Sequence, residues 1–271
     1  MTKVAFIGAG NMNSAIISGL VAQGHDPYDI MVSNPSKAKR LALHQQLAIH
    51  QTGNNIEAAT FADYIVLGVK PHLISQVCYE ISQQIDTSEK CFISVAAGTT
   101  TQQIQKALSS PSSVIRSMPN TPSQIGLGVT GMFACPVTTA EQKEVANQLM
   151  SAVGIVKWLT KEAEIDHIIA VSGSGPAYFF LFMEAMEKEA IALGFSNQDS
   201  RQMVQQTALG AVQMVVKNNI PIEQLRENVT SKGGTTQAAL ATFIEGDLDT
   251  LVKSAMNSAI QRAKEMAQNN D

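Results

Sequence analysis

The stretch "KVAFIGAGNMNSAI", residues 3–16, decides the fold. A short run rich in Val, Ile and Phe stops at Gly8-x-Gly10, and a helical pattern begins at once. The first glycine permits a tight turn. The second lets the backbone approach a pyrophosphate, which the uncapped amides and macrodipole of a helix N-terminus attract. A lone GxG says little; strand, turn and helix in that order point to dinucleotide binding. Asn13 stands where the fingerprint has its third glycine, so looser packing of helix on strand is expected.

Working outward, the same rhythm repeats. Strand candidates are "DIMVSN" (29–34), "DYIVLGV" (63–69), "KCFISVAA" (90–97) and "SSVIRSM" (112–118), with helix-like segments at 11–23, 36–47, 71–84 and 100–109. The strands are Val/Ile-rich without alternation, as expected of parallel strands covered on both faces. "GLGVTGMFA" (126–134) and "GIVKWL" (154–159) flank a helix beginning near Thr139, with Thr139 or Thr138 as N-cap. Past residue 160 the strands stop, and "EIDHIIAVSG", "PAYFFLFMEAMEKEAIALG", "QDSRQMVQQTALGAVQMVVKNN", "PIEQLREN" and "DLDTLVKSAMNSAIQRAKEMAQ" read as helices. Pro176 suits a helix start and Gly194 a helix end. The expected fold is an α/β N-terminal Rossmann-like doubly wound domain, residues 1–159, followed by an all-α domain, residues 160–271. The helix over 176–193 is apolar around most of its early circumference and reads as too short to span a bilayer. Such a helix is either the centre of a core or part of a subunit interface. About 110 residues are few to cover it, which favours a dimerisation domain.

Composition narrows the function. The 271 residues are 45% hydrophobic and 15% charged with a net charge of −4, a soluble globular balance with no global basic field for nucleic acid or anionic lipid. Cys78, Cys91 and Cys135 form no CxxC pair and the five histidines show no ligand spacing, so buried thiols and no metal site are expected. The strand-like start leaves no room for a signal peptide and no apolar run reaches transmembrane length. A cytosolic protein without membrane or nucleic-acid partners is the expectation.

The end of the second strand speaks to the cofactor. An acidic residue there would take the ribose 2′-hydroxyl of NAD. The chain instead has "SNPSKAKR" (33–40), with Lys37, Lys39 and Arg40. Hydroxyl, amide and cationic donors suit a 2′-phosphate, hence NADP. A solvated helix face is the plainer reading of some of these cations. "GVKP" (68–71) and "AAG" (96–98) end two further strands on the edge where a nicotinamide could lie. Lys70 reads as a structural or phosphate-pairing cation ahead of a catalytic acid. "RSMPNTP" (116–122) is a proline-stiffened exit from the sheet that also offers Asn120 and Thr121 towards the nicotinamide. The backbone amides of "VSGSGPAYFF" (171–180) could cap a helix, contact a partner chain or meet a ligand.

"SKGGTT" (231–236) enters a helix with two glycines, a lysine and three hydroxyls. Open amides and the positive end of a helix suit a carboxylate. Helix capping would need only one threonine, which leaves the double glycine and the other hydroxyls for a ligand.

With these stretches in view, the chain resembles the pyrroline-5-carboxylate reductase family. "IGAGNM", "VKP", "VAAG", "RSMPNTP", "SGSGPAYFF" and "VTSKGGTT" match in order across almost the whole chain. The resemblance implies NAD(P)H-dependent reduction of 1-pyrroline-5-carboxylate to L-proline, with NADPH preferred and NADH possible. It also implies a homodimer with an interlocked helical domain, and often a decamer. Carried over, cofactor contacts fall on Ile7, Gly8, Ala9, Gly10, Asn11, Met12, Ser33, Asn55, Gly68, Val69, Lys70, Pro71, Ala96, Ala97, Gly98 and Asn228. Substrate contacts fall on Ser231, Gly233, Gly234, Thr235 and Thr236. Ser231 and the amides of Gly234 and Thr235 would hold the carboxylate, and Thr236, as the catalytic residue, the ring nitrogen. The family loop usually has proline where this chain has Lys232, so a less rigid loop is expected.

Two other readings compete. A β-hydroxyacid dehydrogenase shares the architecture but resembles a GxxG turn followed by a lysine on the next helix. Here Lys188 lies about three turns beyond "SGSGPAYFF". A non-catalytic NADP-binding scaffold would need only the front half.

Overall fold

The computed structural model describes residues 2–268; Met1 and residues 269–271, the outer ends of the two expected domains, lie outside it. Strands β1 (Val4–Ile7), β2 (Ile30–Ser33), β3 (His50–Thr52), β4 (Tyr64–Leu67), β5 (Cys91–Ser94), β6 (Ser113–Met118), β7 (Gly128–Ala134) and β8 (Gly154–Trp158) form one sheet in the order β3-β2-β1-β4-β5-β6-β7-β8. The pairs from β3 through β6 are parallel, with Val4 in register with both Ile30 and Tyr64. β7 runs antiparallel to β6, and β8 parallel to β7.

The unbroken apolar runs have the expected cause. Val4 and Phe6 pack into one core with Ile16, Ile17 and Leu20 of α1 (Asn11–Ala22). Ala5 and Ile7 face the opposite core, built with α3 (Asn55–Phe61), α4 (Ile74–Ser82) and α5 (Thr101–Leu108). Both faces are dry, so no polar alternation is possible. The remaining helices of this half are α2 (Lys37–Leu47) and α6 (Ala140–Ser151). Thr139 caps α6 with a capping box to Gln142.

The structure adds and corrects elements. β3 is only "HQT", and α3 starts at the Asn54 cap; neither has the apolar run that marks an element in sequence. The segment expected as a helix over 71–84 opens as a 3₁₀ turn, Pro71–Leu73, before α4. Beyond the sheet, α7 (Glu164–Ile168) passes through a π turn, Ile169–Gly173, into α8 (Gly175–Ala192). That join makes one helical run, Glu164–Ala192, of 29 residues, long and apolar enough by length and composition to cross a membrane. The expectation that no segment reaches that length is therefore corrected: the wide turn fuses two helices where the Gly/Ser pattern suggested a break.

By its internal contacts the chain divides into a unit that runs to Ser174 and regains the residues from Ala259, and a unit Gly175–Ser258. The second unit contains α8, α9 (Asn197–Lys217), α10 (Ile222–Asn228), α11 (Thr235–Glu245) and the start of α12 (Leu248–Gln268). Gly194 follows α8 at a positive φ of 102°, the backbone state that ends helices. Within the single chain, α8 is no buried core helix: Phe179, Phe180, Leu181 and Phe182 are all exposed.

Candidate active site

The strand order reverses between β1 and β4, the crevice where open α/β sheets bind their ligands. Gly8 closes β1 with a φ of +102°, and a Cβ there would meet the Gly68 carbonyl oxygen at 2.7 Å. Only glycine fits on both counts. The Gly8 N–H donates to the Ser33 carbonyl at 2.7 Å, and the Ala9 N–H to Asn34 Oδ1 at 3.1 Å. Gly10 is the N-cap of α1, with no side chain capping it. Amides at this end thus face a turn built for close approach, which fits a dinucleotide.

Asn13 corrects the expectation of looser packing. Its buried amide Nδ2 donates to the Gly8 carbonyl at 2.7 Å and the Ile7 carbonyl at 3.3 Å. It fills the space over Gly68, where a Cβ would lie 2.4 Å from the Asn13 amide. The close contact that a third glycine would supply has moved to Gly68 on the neighbouring loop.

At the end of β2, the Ser33 hydroxyl is buried and donates to Asn55 Oδ1 at 2.7 Å. Arg40 is committed to the chain itself. Its Nε donates to Gln51 at 2.7 Å, and one terminal nitrogen to the carbonyls of Asn34 and Pro35 at 3.0 and 3.2 Å. Arg40 therefore braces the loop, whereas Lys37 and Lys39 are exposed.

Further along the edge, the Gly68 N–H donates to the Ile7 carbonyl at 2.9 Å and Pro71 starts the 3₁₀ turn. Val69 is half-buried and Lys70 exposed. Ala96 and Gly98 are buried, Ala97 half-buried, and Gly98 has a φ of +74°. A cavity of about 190 Å³ opens beside them, lined by Ala97, Gly98, Met118, Ile169, Arg262 and Met266 among others. Asn120 is not offered to a ligand as expected. It is buried, its Nδ2 donating to the Ser172 carbonyl at 2.9 Å and its Oδ1 accepting from the Val129 N–H at 2.8 Å. The proline loop is thereby fastened to β7 and to the π turn. The sheet half also holds Cys78 and Cys91, whose thiols burial pushes up to about 12.

Asn228 and the 231–236 loop lie in the helical unit. Asn228 is exposed and accepts from Gln224 at 3.2 Å. Gly233 takes a positive φ of 73°, and the Gly234 N–H turns back to the Ser231 carbonyl at 3.0 Å. Ser231 Oγ lies 2.3 Å from where a Gly234 Cβ would be, so the double glycine lets the hydroxyl sit over the turn. Gly234, not a threonine, is the N-cap of α11, and no side chain caps it. Capping does not account for the hydroxyls of Thr235 and Thr236.

Comparison with known proteins bears on this geometry. Residues 162–266 match the family model described as pyrroline-5-carboxylate reductase dimerisation, and residues 3–98 the one described as NADP oxidoreductase coenzyme F420-dependent. A pyrroline-5-carboxylate reductase of Vibrio alginolyticus is 51% identical over 265 residues, covering 97% of each chain. The chain belongs to the pyrroline-5-carboxylate reductase family. A solved pyrroline-5-carboxylate reductase from Coxiella burnetii superposes with a TM-score of 0.94 at 41% identity, covering 98% of both chains. The Plasmodium falciparum pyrroline carboxylate reductase, solved with NADP bound, gives 0.86 at 29% identity, also over 98% of both. As a pyrroline-5-carboxylate reductase the protein is an NAD(P)H-dependent oxidoreductase of proline biosynthesis, reducing 1-pyrroline-5-carboxylate to L-proline. Neither the dehydrogenase nor the scaffold reading survives a full-length match of this kind.

Proposed function

We propose that residues at the sheet edge hold the cofactor and residues of the 231–236 loop hold the substrate. The observation that carries this is the glycine turn at the switch point, where a Cβ on Gly8 would lie 2.7 Å from Gly68 O. Ile7 to Met12 hold the pyrophosphate on the end of α1, while Ser33, Asn55, Lys37 and Lys39 surround the 2′-phosphate end of NADPH. Gly68 to Pro71 and Ala96 to Gly98 line the nicotinamide edge, and Asn228 adds a contact from the helical domain. NADPH supplies the hydride when bound.

Ser231, Gly233, Gly234 and Thr235 hold the substrate carboxylate at the helix end. Because the Gly234 N–H is turned inward, the Ser231 hydroxyl and the Thr235 amide carry most of that contact. Thr236 hydrogen-bonds the ring nitrogen as the imine becomes an amine. A protonated cyclic imine is already electrophilic, so orientation contributes more than acid–base chemistry.

The domains divide at 159/160, the helical part forming the dimer and dimers assembling into a decamer. The enzyme works in the cytoplasm, without membrane or nucleic acid; its apolar helical run serves the subunit interface. The exposed phenylalanines of α8 within the matched dimerisation region support that reading.

The test is NADPH oxidation with 1-pyrroline-5-carboxylate for wild type and Thr236→Ala. The variant is expected to lose about tenfold to a hundredfold in kcat with NADPH binding intact. Full turnover in the variant would remove Thr236 from the reaction.

A further inference from the structure

Glu162 reaches across a long stretch of chain to the base of the nicotinamide edge. Its Oε1 accepts from the Thr101 backbone N–H and its Oε2 from the Thr101 hydroxyl, both at 2.8 Å. The same Oε1 lies 3.5 Å from a guanidinium nitrogen of Arg116. Thr101 and Arg116 are each 5% exposed, so the carboxylate meets one buried helix start and one buried cation.

Thr101 is the first residue of α5, directly after the 96–100 loop. Upstream, that loop is pinned by the Val95 N–H on the Leu67 carbonyl at 3.0 Å and the Ala96 N–H on Ser94 Oγ at 3.3 Å. Downstream, Thr100 makes a capping box with Gln103. That box lies within the first turn of α5. Glu162 ties the start of α5 to a part of the fold 61 residues away.

Arg116 is the second partner of that carboxylate. It sits on β6 in register with Ser94 of β5, and the Ser117 hydroxyl donates to the Ser94 carbonyl at 3.1 Å. Loop 96–100 and the "RSMPNTP" strand are thus both referred to one carboxylate, in the segment that leads into α7. A buried charge-assisted contact of this kind defines geometry because leaving either partner alone is costly.

We infer that Glu162 is a positioning residue for hydride transfer, fixing the Ala96–Gly98 wall against which the nicotinamide ring lies. This rests on the assignment of that wall to the cofactor. Glu162 touches neither cofactor nor substrate. It sets the donor–acceptor distance, to which hydride transfer is steeply sensitive.

The experiment compares wild type, Glu162→Gln, Glu162→Ala and Thr101→Val. It measures kcat, the NADPH dissociation constant by fluorescence, and the kinetic isotope effect with NADPH deuterated at the transferred position. Expected is a fall in kcat of about tenfold in Glu162→Gln and more in Glu162→Ala, since misplacement by about an ångström costs up to 10²-fold. The isotope effect rises as the chemical step becomes limiting, and NADPH binding stays within about threefold, because the glycine turn is untouched. A merely structural role would lower the melting temperature without raising the isotope effect, and that result overturns the inference. Thr101→Val, which keeps its shape and its amide contact, decides the matter if the Glu162 variants do not fold: an unchanged isotope effect there overturns the inference. Ala97→Leu separates the two readings. If it leaves NADPH turnover intact, the cofactor assignment of the wall fails. If it abolishes turnover while the Glu162 and Thr101 variants behave as wild type, only the role of Glu162 fails.

Discussion

The sheet half and the helical half handle the same apolar composition in opposite ways. In β1, Val4, Ala5, Phe6 and Ile7 are each 0% exposed, covered above and below by helices of the same chain. In α8, Phe179 is 68% exposed and Phe180 65%. Each such side chain forgoes about 1.5–3 kcal/mol of burial as long as it faces water. The first half buries its core within one chain. The second leaves these side chains exposed inside the region that matches a dimerisation family, and in the reading proposed above a second copy covers them.

Two truncations should have the largest and most distinct effects. Phe6→Ala should cost about 3–5 kcal/mol, read as a loss of melting temperature that does not depend on protein concentration. Phe180→Ala should cost about 2 kcal/mol, seen by sedimentation as dissociation that higher concentration reverses. If both variants melt independently of concentration, the helical half is not completed by a second copy.

A smaller effect asks whether the polar edge of the sheet half is as self-contained as its core. Arg40 spends its guanidinium on Gln51, Asn34 and Pro35, whereas Lys37 is exposed at the start of α2. Lys37→Ala should weaken NADPH relative to NADH by about tenfold, the size of one charge-assisted contact. Arg40→Met should weaken both cofactors alike. Reversed behaviour in the two titrations would make Arg40 the phosphate ligand.

The smallest effect lies in alkaline solution. The Cys78 and Cys91 thiols have folded values near 12 against an ordinary 9.0, because burial disfavours the thiolate. Their contribution is complete below pH 9 and is lost as the pH rises towards 12, since the unfolded chain ionises first. One unit above the ordinary value this amounts to about 1 kcal/mol per thiol. Cys78→Ala should flatten the fall of urea-unfolding stability between pH 9 and 10.5, and an unchanged slope would contradict it.

Much of the front half was legible because its signals are local. An unbroken apolar run means a strand buried on both sides, and Gly8-x-Gly10 marks a turn that tolerates nothing larger. β3 and α3 escaped because "HQT" carries no apolar run and seven residues give a helix too short to show its period. The direction of β7 escaped because pairing sense belongs to two strands and not to either one. The site residues divide the same way. The glycine turn and the hydroxyl-rich loop could be named, but Asn120 is an internal tie although its loop reads as a binding loop. The partners of Glu162 lie 46 and 61 residues away, beyond any local pattern.

By itself, then, the sequence determined the doubly wound front, the helical rear, the cofactor class and, through its motifs, the reaction. The first three follow from residue chemistry and from spacings shorter than one element; the reaction follows from the family resemblance that the motifs carry. Only the tertiary structure decided that Asn13 fills the place of a glycine, that Arg40 braces its own loop, that one helical run continues through a π turn, and that Glu162 joins the start of α5 to Arg116 of β6. Each of these depends on which distant backbone a side chain meets, and that is set when the chain packs.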